Sequence, residues 1–379
     1  MTLISAGTIV IDGRICRPGW LQTSGRRILG CGAGMPPGTV DVDFPDSVVV
    51  PGFIDMHVHG GGGASYTDAD GPDIAAGAGF HLRHGTTTTL ASLVTAAPAE
   101  LLTGVRALAD ATRLGTVAGI HLEGPWLSPA RCGAHDHTRM RDPDPAEIDA
   151  VLAAGDGTIR MVTLAPERPG SQWAIQRFLD AGVVVAVGHT DATYEQVRQA
   201  VDLGATVGTH LFNAMPPLHH RAPGPVLALL QDPRVIVELI ADGVHVHPAM
   251  VTAVIGAAGP ERVAVVTDAI AAAGGGDGMF RLGSVPIDVA SSVARVQGTS
   301  TIAGSTATMD QLFRRVSGPG SDAALTAAVQ MTSATPARAL RLDGVGNLRP
   351  GDDANLVVLD RDLQVTAVMV HGGWRVGGC

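Results

Sequence analysis

PGFIDMHVHGGGG, residues 51–63, ends an apolar run with two histidines one residue apart. Alternate residues of a strand point to the same face, so His57 and His59 reach one point in space if the strand ends there. Imidazole is a common ligand of zinc-like ions, which makes this segment a candidate metal site. An isolated HxH is more often only the polar end of a strand, so the rest of the chain decides between the two interpretations.

The composition is that of a soluble globular protein of 379 residues. Hydrophobic residues make up 45% and aromatic residues only 3%, so the core is built from aliphatic side chains. The net charge of −10 argues against a nucleic-acid partner, which requires a basic surface. All 26 basic residues are arginine, because the chain contains no lysine, and any mechanism that needs a lysine is excluded.

Neither the N-terminal segment nor any apolar run indicates export or membrane insertion. The first residues lack the basic start and long apolar stretch of a signal peptide, and no apolar run approaches bilayer length. The four cysteines have no paired spacing, which favours free thiols in a reducing compartment; they are Cys16, Cys31, Cys132 and Cys379. We therefore expect a cytoplasmic protein with no membrane partner.

The middle of the chain alternates β-type apolar runs with Ala-rich helical patterns, which is typical of a parallel sheet. Eight such runs predict an α/β fold with a (β/α)8 TIM-like barrel over residues 51–344. The predicted strands are 48–56, 86–94, 117–122, 159–164, 183–187, 205–209, 236–240 and 263–266. The predicted helices include 73–84, 99–113, 171–181, 191–203 and 248–258.

Both ends of the chain have a different, β-rich pattern. Residues 1–50 contain short alternating runs broken by Gly, Pro and Asp, which indicate a small antiparallel β unit. Residues 347–376 show the same texture of strands and turns. We predict that 1–50 and 345–379 together build one small β-sandwich domain.

Polar side chains follow six of the predicted barrel strands, at the carboxyl ends where such barrels place their active sites. They are His57 with His59, Glu123, His189, His210, Asp242 with His245, and Asp268. A single buried His or Asp is usually a satisfied core group. Six strand ends with such groups indicate a site for one or two divalent ions.

Two ions in one site need a bridging ligand. Without lysine the bridge has to be a carboxylate, and Glu123 is the candidate. We predict two ion-binding groups: His57, His59 and Glu123, and Glu123, His189 and His210. Asp268, counted with the metal ligands, would handle the protons of the bound water, which a metal ion makes acidic enough to attack near neutral pH.

These motifs resemble those of the N-acetylglucosamine-6-phosphate deacetylases of the amidohydrolase superfamily. The resemblance covers nearly the whole chain and is carried by PGFID with HxH, HLEGP, GHT, THLFNAM followed by an arginine, DGVH, TDA and AGS. It implies metal-dependent hydrolysis of the acetamide of N-acetyl-D-glucosamine 6-phosphate to D-glucosamine 6-phosphate and acetate. Zinc is the default metal for this ligand set, with iron, cobalt or manganese as alternatives.

The resemblance also implies roles for individual residues. His245 and the metal ion would polarise the amide carbonyl, while Asp268 would activate the water and then protonate the departing amine. His135, in the polar segment 128–141 that we interpret as a lid, and Ala303 would bind the substrate. Cys132 in the same segment receives no catalytic role.

A phosphorylated sugar needs a local anion site in this acidic chain. The resemblance implies backbone amides at Asn213 and Ala214 and the guanidinium of Arg221, whose planar fork suits phosphate oxygens. Arg221 would then act across the interface of a homodimer. The alternative is that Arg221 belongs to a solvated loop.

Other functions remain open from the residues alone. The substrate could be another N-acylated amino sugar such as N-acetylgalactosamine 6-phosphate, or the chain could be a cyclic-amide hydrolase or a deaminase. Many cyclic-amide hydrolases use a carboxylated lysine that this chain lacks, and a single-ion deaminase would leave Glu123 and Arg221 unexplained. A non-catalytic barrel would be expected to have lost ligands, and here all six are present.

Overall fold

A computed structural model describes residues 1–68, 71–318 and 320–378. Its strands are β1 (Thr2–Ile11), β2 (Arg14–Cys16), β3 (Gly19–Ser24), β4 (Arg27–Ala33), β5 (Val42–Pro51), β6 (Phe53–Val58), β7 (Gly60–Gly61), β8 (Ala64–Ser65), β9 (Thr86–Leu93), β10 (Gly119–Glu123), β11 (Ile159–Leu164), β12 (Val184–Val187), β13 (Val207–Gly208), β14 (Ile236–Leu239), β15 (Val263–Val265), β16 (Gly278–Leu282), β17 (Val285–Ala290), β18 (Val293–Val296), β19 (Leu356–Leu359), β20 (Val365–Val370) and β21 (Gly373–Val376). Its α-helices are α1 (Gly71–Arg83), α2 (Pro98–Arg113), α3 (Pro145–Gly155), α4 (Ser171–Asp180), α5 (Tyr194–Leu203), α6 (Gly224–Gln231), α7 (Pro248–Ala258), α8 (Met309–Ser317), α9 (Asp322–Val329) and α10 (Thr335–Ala339).

One sheet of eight strands runs in the order β6, β9, β10, β11, β12, β13, β14, β15. Its pairs from β9 to β15 are parallel, and helices α1 to α7 lie between its strands along the chain. After β15 the chain meets β6 again, because the amide of Asp268 donates to the carbonyl of His57 over 2.9 Å. The amide of His59 likewise donates to the carbonyl of Ala269 over 2.8 Å. The sheet is therefore nearly closed, which confirms the predicted barrel.

The two ends of the chain meet in a second sheet, ordered β21, β20, β19, β5, β1, β3, β4, with β2 paired to β1. β19 is antiparallel to β5, so Val358 lies opposite Val49. β1 and β5 are parallel, which differs from the purely antiparallel unit expected. Buried aliphatic residues such as Ile4, Val49 and Met369 form one core cluster of this sheet. The predicted β unit made from both termini is confirmed.

The predicted first barrel strand, residues 48–56, is divided between the two sheets. β5 ends at Pro51 in the terminal sheet, and β6 begins at Phe53 in the barrel. At Gly52, between them, a Cβ atom would lie 2.1 Å from Thr87 Oγ1, so no side chain fits. A continuous apolar run cannot by itself reveal such a change of sheet, because the residues on both sides are equally buried.

The chain separates into two compact units. The first contains Met1–Asp55, Gly79–Thr88 and the chain from Thr308 onward, and the second contains Met56–Ala78 and Thr89–Ala307. The first unit includes α8 to α10, where a π-helical segment, Gln330–Ala334, joins α9 to α10. The boundaries predicted from the sequence, 1–50 with 345–379 and 51–344, stay a prediction.

A three-stranded antiparallel sheet, β16 to β18, lies within the second unit and was not predicted. Its apolar side chains share one cluster with Ile270, which follows β15, and with Ala134, from the segment 128–141. The sheet therefore packs beside the chain that leaves the carboxyl end of the barrel.

Among the residues that the structure describes, no helix has both the length and the apolarity needed to cross a bilayer. Cys16, Cys31 and Cys132 carry free thiols, as predicted. Cys379, the fourth predicted free thiol, lies outside the described residues.

Asp310 provides a test of the electrostatics in the first unit. The residue is 6% exposed, and its carboxylate accepts hydrogen bonds from Thr308 Oγ1, His84 Nδ1 and Arg314 Nη1. Burial alone would raise the pKa of Asp310, but the hydrogen bonds from His84, Thr308 and Arg314 outweigh it and lower the pKa to about 2. The ionised carboxylate therefore stabilises the folded state above pH ~4, and this stabilisation is lost as the pH falls through about 2.

We expect Asp310→Asn to lower the free energy of unfolding by about 2 kcal/mol at pH ~7, as the size of the pKa shift requires. Urea unfolding at several pH values checks this, and the deficit should shrink as the pH falls below ~4. Asp322→Asn is the control, because the exposed pair with Arg17 should contribute little. A deficit that stays constant into acid would contradict the electrostatic explanation.

Candidate active site

Six side chains predicted as ligands or proton carriers meet at the carboxyl ends of the barrel strands. They belong to His57, His59, Glu123, His189, His210 and Asp268, and each of these residues is at most 8% exposed. Two groups of three have ligand atoms within 4.8 Å of one another: His57, His59 and Glu123, and Glu123, His189 and His210. Each group could hold a metal ion, and Glu123 belongs to both.

Glu123 lies at the centre of this cluster. Its Oε1 is 3.1 Å from His189 Nε2 and 3.0 Å from His210 Nε2. Its Oε2 is 3.2 Å from His59 Nε2. Asp268 lies beside the first group, with Oδ1 3.3 Å from His59 Nε2. A carboxylate whose two oxygens face two groups of imidazoles is placed as a bridging ligand would be.

Three residues of the cluster have a left-handed backbone conformation just after a barrel strand ends. The φ angles of His189, His210 and Asp268 are +47°, +25° and +47°. This conformation costs roughly 1–2 kcal/mol for a residue with a side chain. Such strain is common at functional sites, where the surrounding structure holds it in place.

Neighbouring groups hold several of the rings by the nitrogen that faces away from Glu123. His57 Nδ1 is 2.9 Å from Glu238 Oε2, and His59 Nδ1 is 3.2 Å from the carbonyl of Ser92. His189 Nδ1 is 2.9 Å from the carbonyl of Arg131. Because these oxygens only accept, each Nδ1 carries a hydrogen, and each ring, when it is neutral, turns a lone pair at Nε2 inward.

This arrangement fits divalent cations. Nε2 of His57 lies 3.2 Å from Nε2 of His59, and Nε2 of His189 lies 3.0 Å from Nε2 of His210. Two lone pairs at that distance repel each other unless a proton or a cation lies between them. Imidazole and carboxylate donors suit zinc and similar transition metals.

The cluster also concentrates negative charge. Burial lowers the pKa of His57, but the carboxylates of Glu123, Glu238 and Asp268 outweigh it and raise the pKa well above its ordinary value. Burial likewise lowers the pKa of His59, but hydrogen bonds to Asp268 and Glu123 raise it to about 9. Without a metal ion, protons therefore balance the carboxylates, and a cation would take their place.

A cavity opens over the cluster. The residues that line it are His59, Glu123, Gly133, Ala134, His135, His189, His210, Asn213, Ala214, His245, Asp268, Leu282, Ser300, Thr301, Ile302 and Gly304. Several residues predicted to bind substrate thus share one wall with the candidate metal ligands. The β16–β18 sheet and the loop after it contribute Leu282, residues 300–302 and Gly304.

The predicted phosphate-binding residues divide into two sets. Asn213 and Ala214 line the cavity, although the backbone amide of Asn213 already donates to the carbonyl of His210 over 3.0 Å. Arg221 is exposed, bonds to His220 Nε2 and does not line the cavity among the described residues. Its role in phosphate binding therefore stays a prediction that needs a second subunit.

Ala303 lies next to the cavity wall instead of on it. Its side chain is fully buried in the apolar cluster beneath the β16–β18 sheet. Ile302 and Gly304, its two neighbours, line the cavity. A contact of Ala303 with substrate through its backbone stays a prediction.

The segment 128–141, predicted as a lid, is tied into the cluster. His135 Nε2 is 3.1 Å from Glu123 Oε2, and His135 Nδ1 accepts from the amide of Thr95. Burial lowers the pKa of His135 to about 4, so the ring is neutral and its Nε2–H donates to Glu123. The structure thus gives His135 a contact with a candidate ligand, and its predicted contact with substrate remains to be tested. Cys132 is half-buried in this segment.

His245 is held by Asp242, and both follow β14. His245 Nδ1 is 2.7 Å from Asp242 Oδ2, while Asp242 Oδ1 accepts from the amides of Val244 and His245. Burial would raise the pKa of Asp242, but the hydrogen bond from His245 outweighs it and lowers the pKa. Asp242 is therefore ionised and fixes the ring, which lines the cavity.

A buried polar layer next to the cluster was not predicted from the sequence. Glu238 bonds to His57, and His121 lies between Ser92 Oγ and Thr163 Oγ1 at 2.9 and 2.8 Å. Burial lowers the pKa of His121 well below its ordinary value, so the ring is neutral. A signal was present: Glu238 and His121 each stand between two apolar residues of a buried strand.

A family model described as "Amidohydrolase family" matches residues 48–375. A solved structure with 53% sequence identity has a TM-score of 0.97 and covers 99% of this chain and 99% of that one. It is a mutant N-acetyl-D-glucosamine-6-phosphate deacetylase from Mycobacterium smegmatis in complex with N-acetyl-D-glucosamine-6-phosphate.

Two relatives match by sequence over most of their length. An N-acetylgalactosamine-6-phosphate deacetylase from Escherichia coli O157:H7 is 38% identical over 93% of this chain and 95% of that protein. An N-acetylglucosamine-6-phosphate deacetylase from Lysinibacillus sphaericus is 35% identical over 86% of this chain and 85% of that protein.

We expect Glu123→Gln to weaken metal binding in both groups, because Glu123 is common to them, and His59→Asn to weaken it in one. Calorimetric titration of metal-free protein with Zn²⁺ should give two ions for the wild type and one for His59→Asn. For Glu123→Gln, both affinities should fall by more than about 100-fold, since loss of an outer partner alone costs up to that much. His137→Asn, which changes an exposed histidine of the 128–141 segment, is the matched control. Two ions bound to Glu123→Gln with unchanged affinity would contradict a bridging Glu123.

Proposed function

The chain belongs to the amidohydrolase family, and on this premise we propose that it is an N-acetylglucosamine-6-phosphate deacetylase. The reaction is hydrolysis of the acetamide of N-acetyl-D-glucosamine 6-phosphate to D-glucosamine 6-phosphate and acetate. The resemblance predicted from the sequence motifs is confirmed by the family match and by the deacetylases among the relatives. The protein is accordingly a hydrolase of a carbon–nitrogen bond.

The observation that carries this proposal is the position of Asp268. Its carboxylate lies within 3.5 Å of both histidines of the first group and lines the same cavity as His245 and Asn213. A base, a site for cations and a space for substrate thus adjoin one another. Amide hydrolysis needs all three, because the attacking water must lose a proton, the oxyanion must be stabilised and the departing amine must gain a proton.

Two residues would move or hold protons. Asp268 is ionised, since the charge of His57 and the hydrogen bond and charge of His59 outweigh its burial and lower its pKa, so its carboxylate can take a proton from the attacking water. It would then return that proton to the departing amine. His245, whose Nδ1 donates to Asp242, would in its protonated form donate from Nε2–H to the amide oxygen. A divalent ion, when bound, supplies Lewis acidity to the water and to the carbonyl.

We further propose that the ions are zinc, held as two ions by the two groups that share Glu123. The donors are imidazole nitrogens and carboxylate oxygens, which zinc prefers. Iron, cobalt and manganese use similar donors and are the alternatives. We place the protein in the cytoplasm, in keeping with cysteines that have no paired spacing.

The phosphate site is proposed to need two subunits. Arg221 is exposed and lies outside the cavity of its own chain, so it would reach the phosphate of a substrate bound to a partner subunit. Asn213 and Ala214 would contact the same phosphate from within the cavity. A homodimer in which each chain supplies Arg221 to the other satisfies this arrangement.

N-Acetylgalactosamine 6-phosphate is the second candidate substrate. The relative from Escherichia coli O157:H7, at 38% identity, carries that name, whereas the structure at 53% identity is a glucosamine enzyme. The higher identity favours the gluco sugar. The two sugars differ at one hydroxyl, so a direct comparison of rates separates them.

Asp268→Asn should lower kcat by about 10²- to 10⁴-fold, the usual contribution of a general acid and base, with a smaller effect on KM. Acetate release from N-acetylglucosamine 6-phosphate measures it. Metal content of the same preparation is the control, because a loss of ions would lower kcat for another reason. Near-full activity of a metal-loaded Asp268→Asn variant would exclude Asp268 as the base.

Arg221→Ala should lower kcat/KM for the phosphorylated sugar by roughly 10- to 100-fold, the range of a hydrogen bond to a charged group. The slow reaction of the unphosphorylated sugar should be unchanged. Arg106→Ala, which removes an exposed arginine of α2, is the control. Equal rates of the wild type on phosphorylated and free sugar would overturn the phosphate site. Mixing Arg221→Ala with Asp268→Asn chains should restore activity if Arg221 acts across the interface.

A further inference from the structure

Glu238 is a buried carboxylate in the middle of an apolar strand. β14 has the sequence IVEL, and all four residues are buried, with Glu238 0% exposed. A fully buried charge is rare unless it is paired, because its removal from water is costly. Packing alone would be served better by an aliphatic residue at this position.

One oxygen of Glu238 contacts both metal-binding groups. Its Oε2 is 2.9 Å from His57 Nδ1, in the first group, and 3.1 Å from the backbone amide of His210, in the second. Its Oε1 has no hydrogen-bond partner among the described residues. The carboxylate is therefore used through a single oxygen, at the point where it meets a candidate ligand of each group.

The contact with His57 fixes the chemistry of that ring. Because a carboxylate oxygen accepts, His57 carries a hydrogen on Nδ1, which leaves Nε2, 3.4 Å from Glu123 Oε1, as the nitrogen that would bind an ion once its own proton is displaced. Hydrogen bonds of this kind orient metal-bound histidines and make the ring nitrogen a stronger electron-pair donor to the metal. The other ring of the first group, His59, has its own acceptor in the carbonyl of Ser92.

The contact with His210 is of a different kind, because Glu238 accepts a hydrogen bond from the backbone amide of His210 and not from its imidazole ring. The turn that carries His210 is also held by the amide of Leu211, which donates to the backbone carbonyl of Glu238, and by the amide of Asn213. These bonds do not need the Glu238 side chain. Loss of the carboxylate should therefore affect the first group much more than the second.

We propose that Glu238 is a positioning residue that determines occupancy of the ion site formed by His57, His59 and Glu123. It acts through His57 and does not touch the reacting atoms. The inference rests on the proposed two-ion site, and it makes the affinity for one of the two ions depend on one buried side chain.

The test compares Glu238→Ala with Glu238→Gln by titrating metal-free protein with Zn²⁺ in a calorimeter. In Glu238→Ala the affinity for one ion should fall by about 10- to 100-fold, while that for the other stays as in the wild type. Glu238→Gln keeps an oxygen that accepts from His57, so it should recover most of the lost affinity. Repeating the titration on His57→Ala identifies the weakened site as the one that contains His57.

Thr163→Val is the matched control. Thr163 is fully buried on β11, and its hydroxyl bonds to His121 and Thr209 and to neither metal-binding group. It should leave both affinities unchanged. Equal weakening of both ions in Glu238→Ala and Thr163→Val would reduce Glu238 to a structural role and overturn the proposal, as would unchanged binding in Glu238→Ala. If Glu238→Ala does not fold, Glu238→Gln carries the test: the smaller loss of affinity that remains should be confined to the ion weakened by His57→Ala, and an equal loss for both ions would overturn the proposal.

The outcome is separable from that of the proposed activity. A wild-type chain that binds two ions but releases no acetate would reject the deacetylase assignment and leave the role of Glu238 intact. A wild-type chain that binds a single ion insensitive to His57→Ala would overturn the role of Glu238, because the site it supports would not exist.

Discussion

Four imidazole nitrogens and the oxygens of Glu123 converge within hydrogen-bonding distance among residues that are almost completely buried. Lone pairs and negative charges placed so close together are tolerated only with protons or cations among them. This need for protons or cations accounts for several features of the local structure. It explains the outer acceptors on His57, His59 and His189, the strained φ angles after three strands, and a neutral His135 that donates to Glu123.

The barrel meets this constraint because its strands are parallel and nearly closed. The carboxyl ends of neighbouring strands all lie at one end of the sheet, so residues 211 positions apart in sequence, His57 and Asp268, become neighbours. The same closure is made by the backbone, where the amide of Asp268 donates to the carbonyl of His57. The bond that completes the sheet therefore also places the proposed base beside the proposed metal site.

Much of this could be predicted from the sequence. The barrel strands and the polar residues that follow them appear as apolar runs with His, Glu or Asp at the end, and the structure assembles six of these residues. Three features could not be predicted from the sequence. The run at residues 48–56 belongs to two sheets, the sheet β16–β18 was not foreseen, and Arg221 lies away from the cavity of its own chain.

What the sequence determined by itself was local chemistry: which residues carry ligand atoms, which strands they follow, and the absence of lysine, which leaves a carboxylate as the bridge. Only the tertiary structure decided which residues distant in sequence form hydrogen bonds with each other. Glu238 is 181 residues from His57, and Asp310 is 226 residues from His84. No local pattern encodes such pairs, because a hydrogen bond between distant residues depends on the register and closure of the whole sheet and on how helices pack around it.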